Sequence, residues 1–328
     1  MRVHRDINNL PLFKNAVITI GTFDGVHTGH LKIIQQLKQE AAACHGETVI
    51  ITFHPHPRMV IDKSPGSKEH QSPGIKLLNT LSEKITLLET QGINHLVIVP
   101  FTKEYSEQSA KEYIGEFLVQ KFHPHTIIIG YDHRFGKNRE GDYKLLENFR
   151  NEYQYRVKEI PQHVLNDVTI SSTKIRHALA EGAIQTAQAA LGYTYFFEGT
   201  VVAGNHLGRT LGYPTANIKI DDENKLVPGN GVYAVEIAIL PTGNLLSKSP
   251  EQQRWKGMMN IGIRPTVGGV ERVIEINIFD FDDDIYHRKV TVFIKGFLRH
   301  EVKFNGLEEL KDQLCKDKQD AEKALHSS

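Results

Sequence analysis

The sequence predicts an α/β N-terminal half built on a Rossmann-like parallel sheet, followed by an antiparallel β-barrel with a terminal helix. Three observations carry this. Buried-strand runs alternate with helical periodicity up to about Glu181. From about Tyr193 the helical spacing gives way to short alternating strands between glycine turns. The chain has 328 residues and 40% hydrophobic content, enough for two cores of ordinary composition.

Ala16–Ile20 reads as a buried strand that breaks at Gly21 and Gly25, and Leu31, Ile34 and Leu37 then recur at helical spacing. His27 and His30 therefore sit where a helix begins. A helix start offers unpaired N–H groups and a positive dipole end, so this turn suits triphosphate oxygens, and two imidazoles three apart extend the donor set on one face. Thr48–Phe53 is a second strand, stopped by Pro55 and Pro57. Residues 61–74 read as a loop, and Lys76–Thr90 as a helix with Leu77, Leu81, Ile85 and Leu88 on one stripe. His95–Phe101 is a third strand. Ser109 and Glu112 form a capping box for the next helix, and Thr126–Gly130 is a fourth strand. Asp142–Tyr153 reads as a helix, Tyr155–Ile160 as a strand, and Ser171–Thr173 cap a helix running towards Glu181. Repeated strand and helix units imply a parallel sheet covered on both faces, with ligands beyond the carboxyl ends of its strands.

Gly182–Gly192 is short and alanine-rich, a helical tether, which places the domain boundary at 184/185, giving domains 1–184 and 185–328. After it, five or so strands are expected at Gly199–Ala203, Val232–Leu240, Lys256–Ile261, Val273–Phe281 and Val290–Leu298, then a helix over Leu307–Leu325. Gly204, Gly208 and Gly212 precede Pro214-Thr215-Ala216-Asn217, so backbone can approach a phosphate closely there. Ile274, Ile276 and Ile278 share one strand face, with Glu275 and Asn277 on the other. A carboxylate inside so apolar a strand is costly unless used or paired, and the competing reading is a solvated residue on the outer barrel face.

Net charge is formally zero, which argues against nucleic acid or an acidic membrane as the main partner. Cys44 and Cys315 are too few for a disulfide framework, no run reaches transmembrane length, and the first residues lack a signal-peptide core. A reducing cytoplasm is the expected compartment. The Gly130–Asn138 segment has the wrong spacing for a P-loop, and no turn carries the three-glycine dinucleotide fingerprint. His54 with His56, and His123 with His125, lack a third ligand for zinc. Asp282–Asp284 reads as a solvated turn, and Lys316–Lys323 as an exposed helix face.

The string GTFDGVHTGH (Gly21–His30) resembles the HxGH signature of the nucleotidylyltransferase superfamily, and ISSTKIR (Ile170–Arg176) resembles its second signature. Thr52–Pro57 and Gly130–Gly136 match two further segments of the bifunctional riboflavin kinase and FAD synthetase family of bacteria, with His133 where that family more often has Phe. The resemblance implies a nucleotidylyltransferase-like first domain that transfers AMP from ATP to the phosphate of FMN and releases pyrophosphate. It implies phosphate donors His27 and His30, an ATP-binding turn of Gly21, Phe23, Asp24 and Gly25, and Ser172, Thr173 and Arg176 on the departing phosphates, with Lys174 a weaker candidate. Asp132 and Pro55 are expected at the flavin.

Gly204–Asn217 looks like the riboflavin kinase signature. That likeness implies phosphorylation of riboflavin to FMN by Mg²⁺-ATP with release of ADP, Thr215 and Asn217 serving the metal, and Glu275 as general base on the riboflavin 5′-hydroxyl. Gly257–Pro265 and Phe297–Phe304 also match, which puts Arg299 near the flavin. Mg²⁺ is expected in both reactions, held mainly by substrate phosphates. Two alternatives stay open on the sequence: a different acceptor for the first domain with the second only a flavin-binding regulator, or an active kinase beside an inactive first domain.

Overall fold

The computed structural model describes residues 1–61, 74–161, 170–204, 207–240, 253–266 and 269–326. The chain divides into two compact units, Met1–Ser172 and Thr173–Ser328.

The first unit is a six-stranded parallel sheet: β1 (Arg2–His4), β2 (Val17–Ile20), β3 (Thr48–His54), β4 (His95–Pro100), β5 (Thr126–Gly130) and β6 (Arg156–Ile160), in the order β1-β4-β3-β2-β5-β6. Val17–Ile20 is buried throughout, as a central strand covered on both faces must be. Alternation then feeds two cores. Ile18, Ile20, Val49 and Ile51 point to one, while Val17, Ile50, Leu96 and Ile128 point to the other with Leu37 and Leu88. β3 and β4 extend the sheet from one side of β2, and β5 and β6 from the other. The strand order thus reverses at β2, whose carboxyl end opens on the crevice where α/β sheets bind ligands.

Three elements differ from expectation. β1 is three residues long and pairs with β4 at the sheet edge, too short to leave a pattern. The second expected helix spans Leu81–Glu89 rather than beginning at Lys76, because Thr80 and Glu83 form a reciprocal capping box that fixes its start. Ser109 and Glu112 form the expected box, but the helix it opens passes through a π-helical stretch at Tyr113–Val119. Most of the expected loop at 61–74 lies outside the described residues.

In the second unit, Ile184–Leu191 is helical as the alanine-rich tether suggested, and Gly192 closes it at φ 81°. Beyond it lies a closed antiparallel barrel of β7 (Phe196–Val202), β8 (Ala216–Lys219), β9 (Gly231–Ile239), β10 (Arg254–Thr266), β11 (Gly269–Ile278) and β12 (Lys289–Arg299), in the order β10-β11-β8-β7-β12-β9. β8 is the strand the five-strand expectation lacked. It is four residues long and begins inside the Pro-Thr-Ala-Asn string. The Leu307–His326 helix packs Leu314, Ala321 and Leu325 against Ala234, Met258 and Phe279 of the barrel. Its charged run is not wholly exposed as expected, since Asp317 is buried.

Candidate active site

In the first unit the Gly21–His30 turn leaves β2 at the point where strand order reverses. Gly21 N–H donates to Ile51 O at 3.0 Å, so the turn starts fixed to the neighbouring strand. Phe23, Gly25 and Val26 then take φ of 47°, 87° and 38°, a left-handed sequence costly for Phe and more so for β-branched Val. His27 occupies the cap position of the Thr28–Ala43 helix with extended φ/ψ, and its side chain makes no cap hydrogen bond. The His27 and His30 rings stack with centroids 3.7 Å apart and planes 19° from parallel. Burial, then the neighbouring His27 and Lys84, hold the His30 imidazole well below its usual range. His30 is thus a neutral hydrogen-bonding group near pH 7, and its buried Nδ1 has no partner among the described residues.

The rest of the turn is built inward. The Phe23 ring is 1% exposed and packs in the core, 4.9 Å from the His30 ring. The Asp24 carboxylate accepts Leu78 N–H at 3.0 Å, and Ser172 Oγ donates to Asp24 O at 2.9 Å. Phe23 and Asp24 therefore shape the turn with their side chains. Thr22 O accepts from Thr52 Oγ1 at 3.1 Å and from Lys84 Nζ at 2.7 Å. Ser172 opens the Ser172–Ala180 helix, on which Thr173 and Lys174 are exposed and Arg176 is half-buried. Pro55 follows a cis peptide bond at the end of β3 and is exposed, as is Asp132 in the turn after β5.

In the second unit strand register does the assembling. Glu275 of β11 lies opposite Asn217 of β8 on one side and Asn260 of β10 on the other. Residues directly opposite in antiparallel pairs share a face, so these three form one row across three strands. Ile274, Ile276 and Ile278 point the other way and are buried. Glu275 does stand on the outer barrel face, but there it lines a cavity of about 210 Å³ with Thr215, Asn260, Asn277, Arg264 and Asp317, the last from the terminal helix. Arg264 Nη2 donates to Glu275 Oε1 at 2.9 Å, and Asn277 Nδ2 donates to Pro214 O at 2.7 Å, tying β11 to the Pro-Thr-Ala-Asn string.

A Cβ on Gly204 would lie 2.0 Å from Asn217 Nδ2, and one on Gly208 2.3 Å from Tyr213 O, so both glycines are fixed by close approach. Gly212 differs: its φ of 83° ends a short helix in open space. Arg299 lines the same cavity, but its Nε and Nη2 form a bidentate pair with Asp317 at 2.7 and 2.6 Å, and Nη1 donates to His300 O. Its guanidinium thereby anchors the terminal helix.

Two family models divide the chain: FAD synthetase over residues 11–174 and riboflavin kinase over residues 191–325. The bifunctional riboflavin kinase/FMN adenylyltransferase of Escherichia coli (strain K12) is 34% identical over 97% of this chain and 96% of its own length. The chain belongs to the bifunctional riboflavin kinase/FMN adenylyltransferase family. The like-named protein of Haemophilus influenzae is 32% identical over all of both chains. A crystal structure described as a macrolide-efflux protein from Streptococcus pneumoniae matches with TM-score 0.81 and 27% identity over 97% of each chain. Among the described residues no helix is long and apolar enough to cross a membrane.

Three residues at these family sites escape sequence reasoning: Lys84, Arg264 and Asp317. Lys84 falls three residues after Leu81 and four before Leu88, and Asp317 between Leu314 and Ala321, so each interrupts an apolar helical stripe. That interruption is the signal that could have found them. Arg264 lies within the Gly257–Pro265 segment that matches the family pattern, but no periodicity singles it out there.

Proposed function

We propose that the chain makes FAD from riboflavin in two ATP-dependent steps, each domain of this family performing one. Residues 185–328 phosphorylate riboflavin to FMN with release of ADP. Residues 1–184, which take in the Ser-Ser-Thr-Lys-x-Arg helix start, adenylylate FMN with release of pyrophosphate. The observation that carries the reading is Glu275 at the wall of the cavity under the terminal helix, with Thr215 and Asn260 on the same wall and Asn217 opposite Glu275 in register, a carboxylate beside neutral oxygen donors.

Glu275 accepts the proton of the riboflavin 5′-hydroxyl as that oxygen attacks the γ-phosphorus of ATP, and the rest of phosphoryl transfer is positioning and charge neutralisation. Gly204, Gly208 and Gly212 let backbone approach the phosphates. The Thr215 hydroxyl and Asn217 amide are hard oxygen donors of the kind Mg²⁺ takes when most of its ligands are phosphates and water, so the residues present fit the ion. Bound with ATP, Mg²⁺ offsets phosphate charge in both reactions.

In the first domain the FMN phosphate is itself the nucleophile, so the protein supplies position and hydrogen bonds. His27 and His30 donate to the reacting phosphate at the helix start, with the backbone of Gly21 and Gly25 beside them. Ser172, Thr173 and Arg176, and more weakly Lys174, hold the leaving pyrophosphate. Pro55 and Asp132 sit at the flavin. Cytoplasmic ATP serves both steps.

Purified protein given riboflavin, ATP and Mg²⁺ yields FMN and then FAD on chromatography. Absence of FMN would refute the kinase assignment, and FMN without FAD the adenylyl assignment.

A further inference from the structure

The Gly21–His30 turn poses a mechanical problem. Three of its residues hold positive φ, two of them not glycine, and such a backbone persists only where its surroundings over-determine it. The carbonyl that enters this stretch is Thr22 O. It takes two donors, Thr52 Oγ1 from β3 and the Lys84 ammonium from the Leu81–Glu89 helix. Lys84 is 7% exposed, and an ammonium so buried is expensive unless its neighbourhood repays it.

The neighbourhood is specific. The capping box at Thr80 and Glu83 fixes the helix start, and Lys84 N–H donates to Thr80 O at 3.0 Å, so the side chain issues from the first turn towards the signature loop. The segment before it gives Leu78 N–H to Asp24, so one short stretch of chain grips the turn at both Thr22 and Asp24. Burial brings the ammonium down to about 8 while the Asp24 carboxylate pulls it up, which leaves it charged near pH 7. Its charge acts on His30 beside it.

We propose that Lys84 is a positioning residue for adenylyl transfer: through Thr22 O it fixes the strained turn that presents His27 and His30. This rests on the reading of that turn as the adenylyl-transfer site. Displacing reacting groups by about 1 Å costs on the order of 100-fold in rate, which sets the scale of the effect.

The test uses the full chain, whose riboflavin kinase activity serves as internal control. Lys84→Met should slow FAD formation from supplied FMN by on the order of 100-fold, mainly in kcat, with riboflavin phosphorylation unchanged. Lys84→Gln, which keeps a donor for Thr22 O without the charge, should fall between Lys84→Met and wild type. If Lys84→Met does not fold, Lys84→Gln carries the test through the same two assays. Wild-type FAD formation in either variant overturns the proposal, and so does a loss confined to the KM for FMN with kcat unmoved, or one as deep in Lys84→Gln as in Lys84→Met. His30→Asn separates the two levels. If it still makes FAD, the site reading fails. If it is inactive while Lys84→Met is not, only the role of Lys84 fails.

Discussion

Arg264 Nη2 lies 2.9 Å from Glu275 Oε1, and both line the cavity under the terminal helix. At 34% and 24% side-chain exposure the pair is worth little as a surface ion pair, roughly 0–1 kcal/mol. Its consequence is orientation: one carboxylate oxygen is held by the guanidinium, and the other stays available to take a proton. Arg264→Met should therefore lower kcat for riboflavin phosphorylation by about 10- to 100-fold while shifting stability by less than about 1 kcal/mol. Kinetics beside urea unfolding decide this. A large stability loss with normal kcat would mean the pair only braces the barrel.

Glu275→Gln keeps shape and hydrogen bonding but cannot accept the proton. FMN formation should drop by about 10²- to 10⁴-fold, the range of general base catalysis, while conversion of supplied FMN to FAD continues. Loss of both activities in chromatographic assays would show that the two domains do not function separately.

The Asp317 carboxylate is 3% exposed and accepts both Arg299 donors and Gln313 Nε2. Asp317→Ala leaves a guanidinium partly buried without its partner, a change that costs about 3–5 kcal/mol. Because the terminal helix forms one wall of the cavity, kinase activity should fall with it, and FMN adenylylation should persist. Thermal unfolding with both assays reads the outcome. Unchanged kinase activity and midpoint would mean the helix is held by Leu314, Ala321 and Leu325 alone.

What was legible in the sequence was what repeats. The Val17–Ile20 and Thr126–Gly130 strands are buried on both faces and read as unbroken β-branched runs, and the helix carrying His27 and His30 announces itself by Leu31, Ile34 and Leu37. The row at Glu275 was half visible. Alternation put Glu275 and Asn277 opposite the isoleucines, but no periodicity reveals that Asn260 and Asn217 become its neighbours, because register is set between strands. Lys84 and Asp317 were lost for another reason. A charge in a helix is normally solvated, and only tertiary contact with Thr22 O or Arg299 turns it inward. Arg299 lines the cavity that its motif pointed to, but its bidentate pairing with Asp317 of the terminal helix is a tertiary contact that no motif announces.

Acid stability of the first unit turns on two buried imidazoles. Burial holds the His133 imidazole down at about 4, against a smaller upward pull from Asp132, and holds His30 well below its usual range. The buried His133 Nε2 has no hydrogen-bond partner among the described residues. The unfolded chain takes up protons on both rings near pH 6.5, whereas the folded chain does not. Their contribution to stability is therefore complete above pH 6.5 and is lost as pH falls towards the folded-state values. Lys84 has the same sign at the other end: its folded value of about 8 against 10.5 makes stability rise between those pH values. His133→Phe removes one titrating ring and the unpartnered nitrogen together. It should flatten the fall in unfolding free energy between pH 6.5 and 4 by up to about 3 kcal/mol, at about 1.4 kcal/mol per unit, and leave the alkaline limb unchanged. Urea unfolding at a series of pH values measures both limbs. An acid limb identical to wild type would show that His133 protonates as readily in the folded protein as in the unfolded chain.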